Sequence, residues 1–278
     1  MSHSIDSADI VWLNEYEAAT LNHFGPRFAE HAPRFAHGET LLARYSNAIR
    51  EVIAQGRGHF RAVDEAHNEI CVADAVLSDP STVKAVLLYE PPLPNTDKSI
   101  DFVLKEADGR LTLVDVKTIK PQARDRWDQY KRAINEGWLP KNVEFILEQE
   151  GLGGELWHTA FASRSRFLEY ALELEGKLAA ASYGAAARRQ ILMLCGEGFH
   201  WRQDELEDFV AYYRSGTHRG DDPFSLAEAR HVEINGLTLR RSISSFGCLD
   251  RRQGDVTARR INWHVQPPPP PFGLSNAA

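Results

Sequence analysis

At 278 residues and 43% hydrophobic, the chain can bury a full core as one elaborated domain, or as one domain with a small extension. A formal net charge of −7 excludes indiscriminate coating of nucleic acid, although an uneven charge distribution would still allow one basic face. The three cysteines, Cys71, Cys195 and Cys248, are far apart, odd in number and form no Cys-x-x-Cys pair, which excludes a disulfide framework and a zinc ribbon.

Residues 8–57 read as helical and end in the flexible Gly56-Arg57-Gly58. Within them His23, His31 and His37 lack metal-ligand spacing and are assigned to surface or capping roles. Val63, Ala66, Ile70, Ala73 and Leu77 then recur at three- and four-residue intervals, one apolar stripe of a helix that Ser78-Asp79-Pro80 stops. Glu65 and Glu69 lie one position to the side of that stripe, at the edge between core and solvent. Residues 84–89 read as a strand and residues 91–95 as a proline-rich loop, followed by strands over 99–104 and 111–117. Pro121 ends the second of these, and residues 124–136 read as a helix closed by Gly137.

Farther along, residues 142–148 and 190–195 read as strands, with a long helix at 163–185 between them and another at 201–213. Cys71 and Cys195 sit in apolar runs and are expected in the core. Residues 232–243, with Asn235-Gly236 at the centre, read as a hairpin, and residues 259–265 as a further strand. Pro267 to Pro271 form a polyproline II tail. The expected organisation is an N-terminal helical region over 1–58, a core over 59–215 with a helical insertion at 152–187, a β-rich extension over 216–266, and a Pro-rich tail over 267–278.

Three ionisable residues interrupt the two central strands: Asp101 in the first, Asp115 and Lys117 in the second. Charge on a half-buried sheet costs free energy unless it is paired or binds a metal. The turn between the strands decides whether the two acids meet. A two-residue turn at Asp108-Gly109 would set Asp101 across from Val116, pointing away from Asp115. A three-residue loop, Ala107-Asp108-Gly109, with Gly109 in the left-handed position, pairs Glu106 with Arg110 and sets Asp101 across from Asp115. Alternation then puts Lys117 on the face of Asp115. Carboxylates about 5 Å apart repel unless a cation sits between them, and oxygen-only ligation favours Mg²⁺ or Mn²⁺ over zinc.

Helix, strand, strand with Asp, strand with Asp-Val-Lys, helix, strand: this order resembles the PD-(D/E)XK nuclease superfamily over roughly residues 60–200. Ile100-Asp101 stands for the family's apolar-Asp, Asp115-Val116-Lys117 for its (D/E)-x-K, and Glu69, or else Glu65, for the acid on its first helix. The resemblance implies an α/β (α+β) fold, a restriction-endonuclease-like mixed central sheet flanked by helices, here with added N-terminal helices and a C-terminal β extension. It also implies a metal-dependent nuclease. Asp101, Asp115, the backbone carbonyl of Val116 and Glu69 would hold Mg²⁺ or Mn²⁺. Lys117 would orient or deprotonate the attacking water and stabilise charge developing on phosphorus.

A basic, aromatic stretch follows the hairpin. Lys120, Arg124, Arg126, Gln129, Lys131 and Arg132, interleaved with Trp127 and Tyr130, suit a phosphate backbone and stacked bases. Gln129 resembles the helix glutamine of the lambda-exonuclease and RecB-type branch, although that branch's tyrosine four residues later is Ala133 here. Residues 117–132 and 240–260 are each net +4, so the remainder is about −15 and the chain is expected to be polarised. The expected partner is nucleic acid, DNA first, in defence or repair. A homodimer and a protein partner docked on the Pro-rich tail are left open. The polar N-terminus and the lack of a membrane-length apolar run make the cytoplasm the expected location, with no membrane partner. The competing expectation is a catalytically inactive nucleic-acid-binding or scaffolding protein on the same fold. No nucleophile elbow, P-loop or dinucleotide-binding glycine motif points elsewhere.

Overall fold

The computed structural model describes residues 5–55, 60–119, 155–181, 188–197, 203–215, 239–251, 254–258 and 260–265. Two compact units divide the chain, one formed by residues 1–118, 180–195 and 244–278, the other by residues 119–179 and 196–243. The fold is mixed α/β. Seven strands form one sheet whose spatial order is their chain order: β1 (Phe35–Ala36), β2 (Val86–Tyr89), β3 (Phe102–Lys105), β4 (Leu111–Ile119), β5 (Arg188–Glu197), β6 (Ser245–Arg251) and β7 (Arg260–Val265). β1 runs parallel to β2, whereas β2–β3, β3–β4 and β6–β7 are antiparallel, so the sheet is mixed as expected.

In the first unit the N-terminal region holds α1 (Ser7–Glu30) and α2 (Gly38–Gln55), and α3 (Phe60–Ser78) follows. The Asp6 carboxylate caps α1 by accepting from Asp9 N at 2.8 Å. α3 carries the apolar stripe, and Asp79 beyond its end accepts from Ser81 N at 2.7 Å to start a short 3-10 turn, Pro80–Thr82. The buried side chains of the three helices pack with Leu87, Tyr89, Phe102, Leu104, Val114 and Val116, which alternation places on one face of β2–β4. Ile191, Met193 and Cys195 of β5 and Leu249 and Ile261 of the last two strands join the same core.

This shared core is why the linear segmentation expected along the chain differs from how the residues group. The helices of 1–58 and the C-terminal strands lie in the unit that holds the sheet. A buried polar link reinforces it. His67 of α3 is fully buried beside the rings of Tyr16, Phe24 and Tyr45. A carbonyl can only accept, so His67 Nε2 carries the proton it gives to Val256 O at 2.7 Å. His67 Nδ1 lies 2.7 Å from the Tyr16 hydroxyl, which also donates to Asp255 O at 3.2 Å. The turn between β6 and β7 is thereby tied to α1 and α3.

The second unit contains α4 (Glu155–Ala180) and α5 (Gln203–Ser215). α4 begins and ends earlier than the 163–185 expected. Phe167 packs on Phe209, with ring centres 5.7 Å apart. The hairpin expected over 232–243 finds no strand in its described portion, residues 239–243. There the buried Glu175 carboxylate accepts from Arg240 N at 2.7 Å and Ser242 N at 3.0 Å, and from the Tyr213 hydroxyl. Two of the segment's N–H groups thus pair with one side chain of α4, Ile243 N donates to the Tyr213 hydroxyl at 2.9 Å, and Arg241 takes a left-handed φ of 52°. β6, by contrast, was not expected, since Ser244, Ser245 and Gly247 break its apolar period. The strand expected over 142–148 and the helix over 124–136 lie outside the described residues, as does the Pro-rich tail. All three cysteines are buried. Among the described residues no helix is long and apolar enough to cross a membrane.

The hairpin loop has the three-residue form. Gly109 N donates to Glu106 O at 3.0 Å, Glu106 N donates to Arg110 O at 2.9 Å, and Gly109 stands at φ +84°. Glu106 and Arg110 form the closing ion pair at 2.8 Å. Replacing Gly109 by valine should cost about 1–2 kcal/mol, the penalty of a side chain in left-handed backbone. Chemical denaturation should show this as a lowered midpoint with an unchanged slope.

Candidate active site

The β3–β4 register runs Lys105↔Leu111, Leu104↔Thr112, Val103↔Leu113 and Phe102↔Val114. One more step sets Asp101 across from Asp115. Hydrogen-bonded pairs alternate along an antiparallel ladder, and from Glu106–Arg110 the period reaches Ile100–Val116. There the ladder has ended, and Val116 N donates instead to the Asp101 carboxylate at 2.5 Å. On its other side Asp101 O accepts from Glu90 N at 2.8 Å, which extends the β2–β3 register one step past Tyr89↔Phe102. Glu90, Asp101 and Asp115 therefore occupy one transverse row at the ends of three adjacent strands.

Asp115 is fully buried, and the Lys117 ammonium, two residues on and on the same face, lies 3.3 Å from its Oδ2. The charges at this end are not balanced. Burial pushes the Asp101 carboxyl well above the usual carboxylate range; Asp115 and then Glu69 add to the rise, and the Val116 N–H and Lys117 offset it only in part. Asp115, Glu69 and Lys117 thus all act on the Asp101 carboxyl.

Glu69 enters from the other side of the pleat. α3 packs on the face bearing Tyr89 and Phe102, and the Glu69 Oε2 accepts from the Tyr89 hydroxyl at 2.9 Å and from Arg44 Nη1 of α2 at 2.7 Å. The same Arg44 nitrogen donates to Tyr89 Oη at 2.7 Å and to Glu90 Oε1 at 3.1 Å. Desolvation is the largest influence on Glu69, and its carboxyl is pushed up to about 7 despite Arg44 and Tyr89, with Glu90 and Glu65 adding repulsion. One residue back, Asn68 Nδ2 donates to Thr118 Oγ1 at 2.8 Å, which fixes α3 against β4 beside Lys117.

Of the two helix acids considered, Glu69 is the one at the site. Glu65 remains partly exposed and pairs with Arg61 at 2.6 Å. Glu69 is buried, rather than at the solvent edge as its offset from the apolar stripe suggests. Among the described residues no three His, Cys, Asp or Glu side chains are arranged to hold a metal ion. Lys120, Arg124, Arg126, Gln129, Lys131 and Arg132 lie outside the described residues. Arg44, Tyr89 and Glu90 are the contributors the sequence pattern did not single out. A signal existed for Arg44: it falls three residues after Leu41 and four before Ala48, on the buried stripe of α2, where a charge needs a partner.

A carboxyl raised in the folded state binds its proton more tightly there than in the unfolded chain. Its contribution to stability is full below the unfolded value near 4.5 and is lost as pH rises through about 7. Unfolding free energy should therefore fall between these pH values. In Glu69→Gln, a neutral isostere that keeps an acceptor for Arg44 and Tyr89, that fall should be shallower. Denaturant melts at pH 5, 6, 7 and 8 check this, and equal slopes in the two proteins would rule out a raised Glu69. No protein-family model, curated protein or solved structure matches the chain, so what this site does is inferred from its own geometry and chemistry.

Proposed function

We propose that this protein is a divalent-metal-dependent nuclease that hydrolyses phosphodiester bonds, with DNA as the first substrate, on a restriction-endonuclease-like sheet. The observation that carries this reading is the hairpin register, which opposes Asp101 to Asp115 and sets Lys117 beside them. Burial first, then the facing Asp115 and the nearby Glu69, make Asp101 hold its proton unusually tightly. A divalent cation relieves that kind of charge excess, so the residues fit the group.

Asp101, Asp115 and the carbonyl of Val116 would hold Mg²⁺ or Mn²⁺. When bound, the ion supplies Lewis-acid polarisation of a phosphoryl oxygen and lowers the pKa of a water. Lys117, mostly buried and steadied by Asp115, orients the attacking water or a phosphoryl oxygen and balances charge in the transition state. Val116 N–H fixes one Asp101 oxygen and leaves the other for ligation. Glu69, with its Oε2 engaged by Arg44 and Tyr89, acts here as a positioning residue that adds negative potential. The basic stretch from Lys120 to Arg132 supports a nucleic-acid substrate by composition.

A binding or scaffolding protein without catalysis is the second reading, favoured by the lack of a three-residue metal group among the described residues. A cleavage panel separates the two: linear duplex, circular duplex, single-stranded DNA and RNA, each with Mg²⁺, Mn²⁺ or EDTA. The nuclease should cut with metal and not in EDTA, and Asp115→Ala and Lys117→Ala should each lose about 10²–10⁴-fold in rate. Cutting in EDTA, or Asp115→Ala as active as wild type, would refute the mechanism. Salt-sensitive binding with no cutting selects the second reading.

A further inference from the structure

Among the described residues, Arg44 is anchored by a single nitrogen. Nη1 serves Glu69, Tyr89 and Glu90, while the guanidinium presents five N–H donors in a planar fork. The side chain is 38% exposed, and it lines an open groove between α2 and α3 with Thr40, Ala43, Asn47, Glu51 and Ala62. Arg44 links the groove to the row that contains Asp101, since Glu90, which Arg44 holds, is bonded through its backbone N–H to Asp101 O.

Its three acceptors are not equivalent. Glu69 and Tyr89 are close and buried, whereas the Glu90 contact is the longest and joins side chains that are 38% and 42% exposed. Exposed ion pairs contribute little. Glu90 also adopts a left-handed φ of 45°, a conformation costly for a non-glycine residue and often retained at functional positions. It is therefore the replaceable partner of a fixed cation.

Building on the nuclease reading, we infer that Arg44 binds a phosphodiester of the nucleic-acid backbone next to the scissile position, and that the Glu90 carboxylate occupies that place until substrate displaces it. A phosphate oxygen offers the guanidinium the same anionic acceptor as Glu90 does, with a second oxygen for the fork. Glu69 and Tyr89 keep Arg44 aimed during the exchange. The surface thereby excludes weaker anions and admits a polyanion, whose neighbouring phosphates raise its local concentration.

Fluorescence anisotropy with a labelled duplex DNA in EDTA, over a series of salt concentrations, tests this without cleavage. Arg44→Ala should weaken binding roughly tenfold, the order of one charge-assisted contact, and make the salt slope shallower by about 0.9, the value for one phosphate. Glu90→Gln should do the reverse and tighten binding a few-fold, and in an Arg44→Ala background that gain should vanish. A residue that merely stabilised the fold would not give tighter binding when lost. Should Arg44→Ala fail to fold because Glu69 is left buried without its cation, Arg44→Lys carries the test: weaker binding with the slope retained. Glu90→Gln binding no tighter than wild type overturns the inference, as does a salt slope unchanged in a folded Arg44→Ala. Wild-type protein that binds no nucleic acid overturns the nuclease reading as well. Binding or cutting that is indifferent to both residues overturns this inference alone.

Discussion

The register of the β3–β4 hairpin is the constraint on which the candidate site depends. Side chains alternate with a period of two, so a slip of one residue would carry Asp101 to the opposite face and leave Asp115 with Lys117 alone. Two local features exclude that slip. Gly109 takes the left-handed backbone that a three-residue loop requires, and Glu106 closes on Arg110 through both backbone and side chains. Apolar positions on both strands reinforce it, since Phe102, Leu104 and Val114 must all face the helices. A turn far from the chemistry thus determines which charged groups meet.

Bringing acids together on a sheet is unfavourable, and the surrounding structure offsets the cost in distinct ways. Lys117 neutralises much of Asp115 at short range. Asp101 is stabilised by a backbone N–H that would otherwise pair with a neighbouring strand. Glu69, on the helix-covered side, relies on Arg44 and Tyr89, and burial still holds its carboxyl near neutrality. The helices can support such a network because they belong to one core with β5, β6 and β7, joined by the Tyr16–His67–Val256 link. Stability provided by the apolar core makes the charged end tolerable.

Much of this was legible in the sequence because its signals are local. Asp-Gly between alternating apolar runs defines a hairpin, and the closing Glu106–Arg110 pair selects between its two registers. The stripe from Val63 to Leu77 defines α3 and places Glu69 near the site. What was not legible depends on distant partners. Arg44 lies 25 residues from Glu69 and 45 from Tyr89, and neither spacing leaves a periodic trace. The segment at 239–243 contains strand-like residues, yet the buried Glu175 captures the N–H groups of Arg240 and Ser242 from 65 and 67 positions away. β6 was hidden for a different reason, since small and polar residues interrupt its pattern while long-range pairing with β7 supplies the stability.

The two halves of the charged cluster lie on different sides of the pleat, and they meet only because the sheet ends there. Within a continuous ladder, Val116 N–H would donate to the Ile100 carbonyl, and the helix-side and acid-side faces would stay separated by closed backbone. At Asp101 the pairing stops. A side chain takes the vacated donor, Glu90 turns into left-handed backbone, and its carboxylate swings to Arg44 on the helix side. Glu69, on the helix side, adds to the rise of the Asp101 carboxyl after burial and Asp115. The same interruption accompanies both the Val116–Asp101 hydrogen bond and the Glu90–Arg44 contact. A substrate held by Arg44 and a reaction at Asp101 and Asp115 would therefore share one structural origin, the place where β3 gives up its last ladder hydrogen bond.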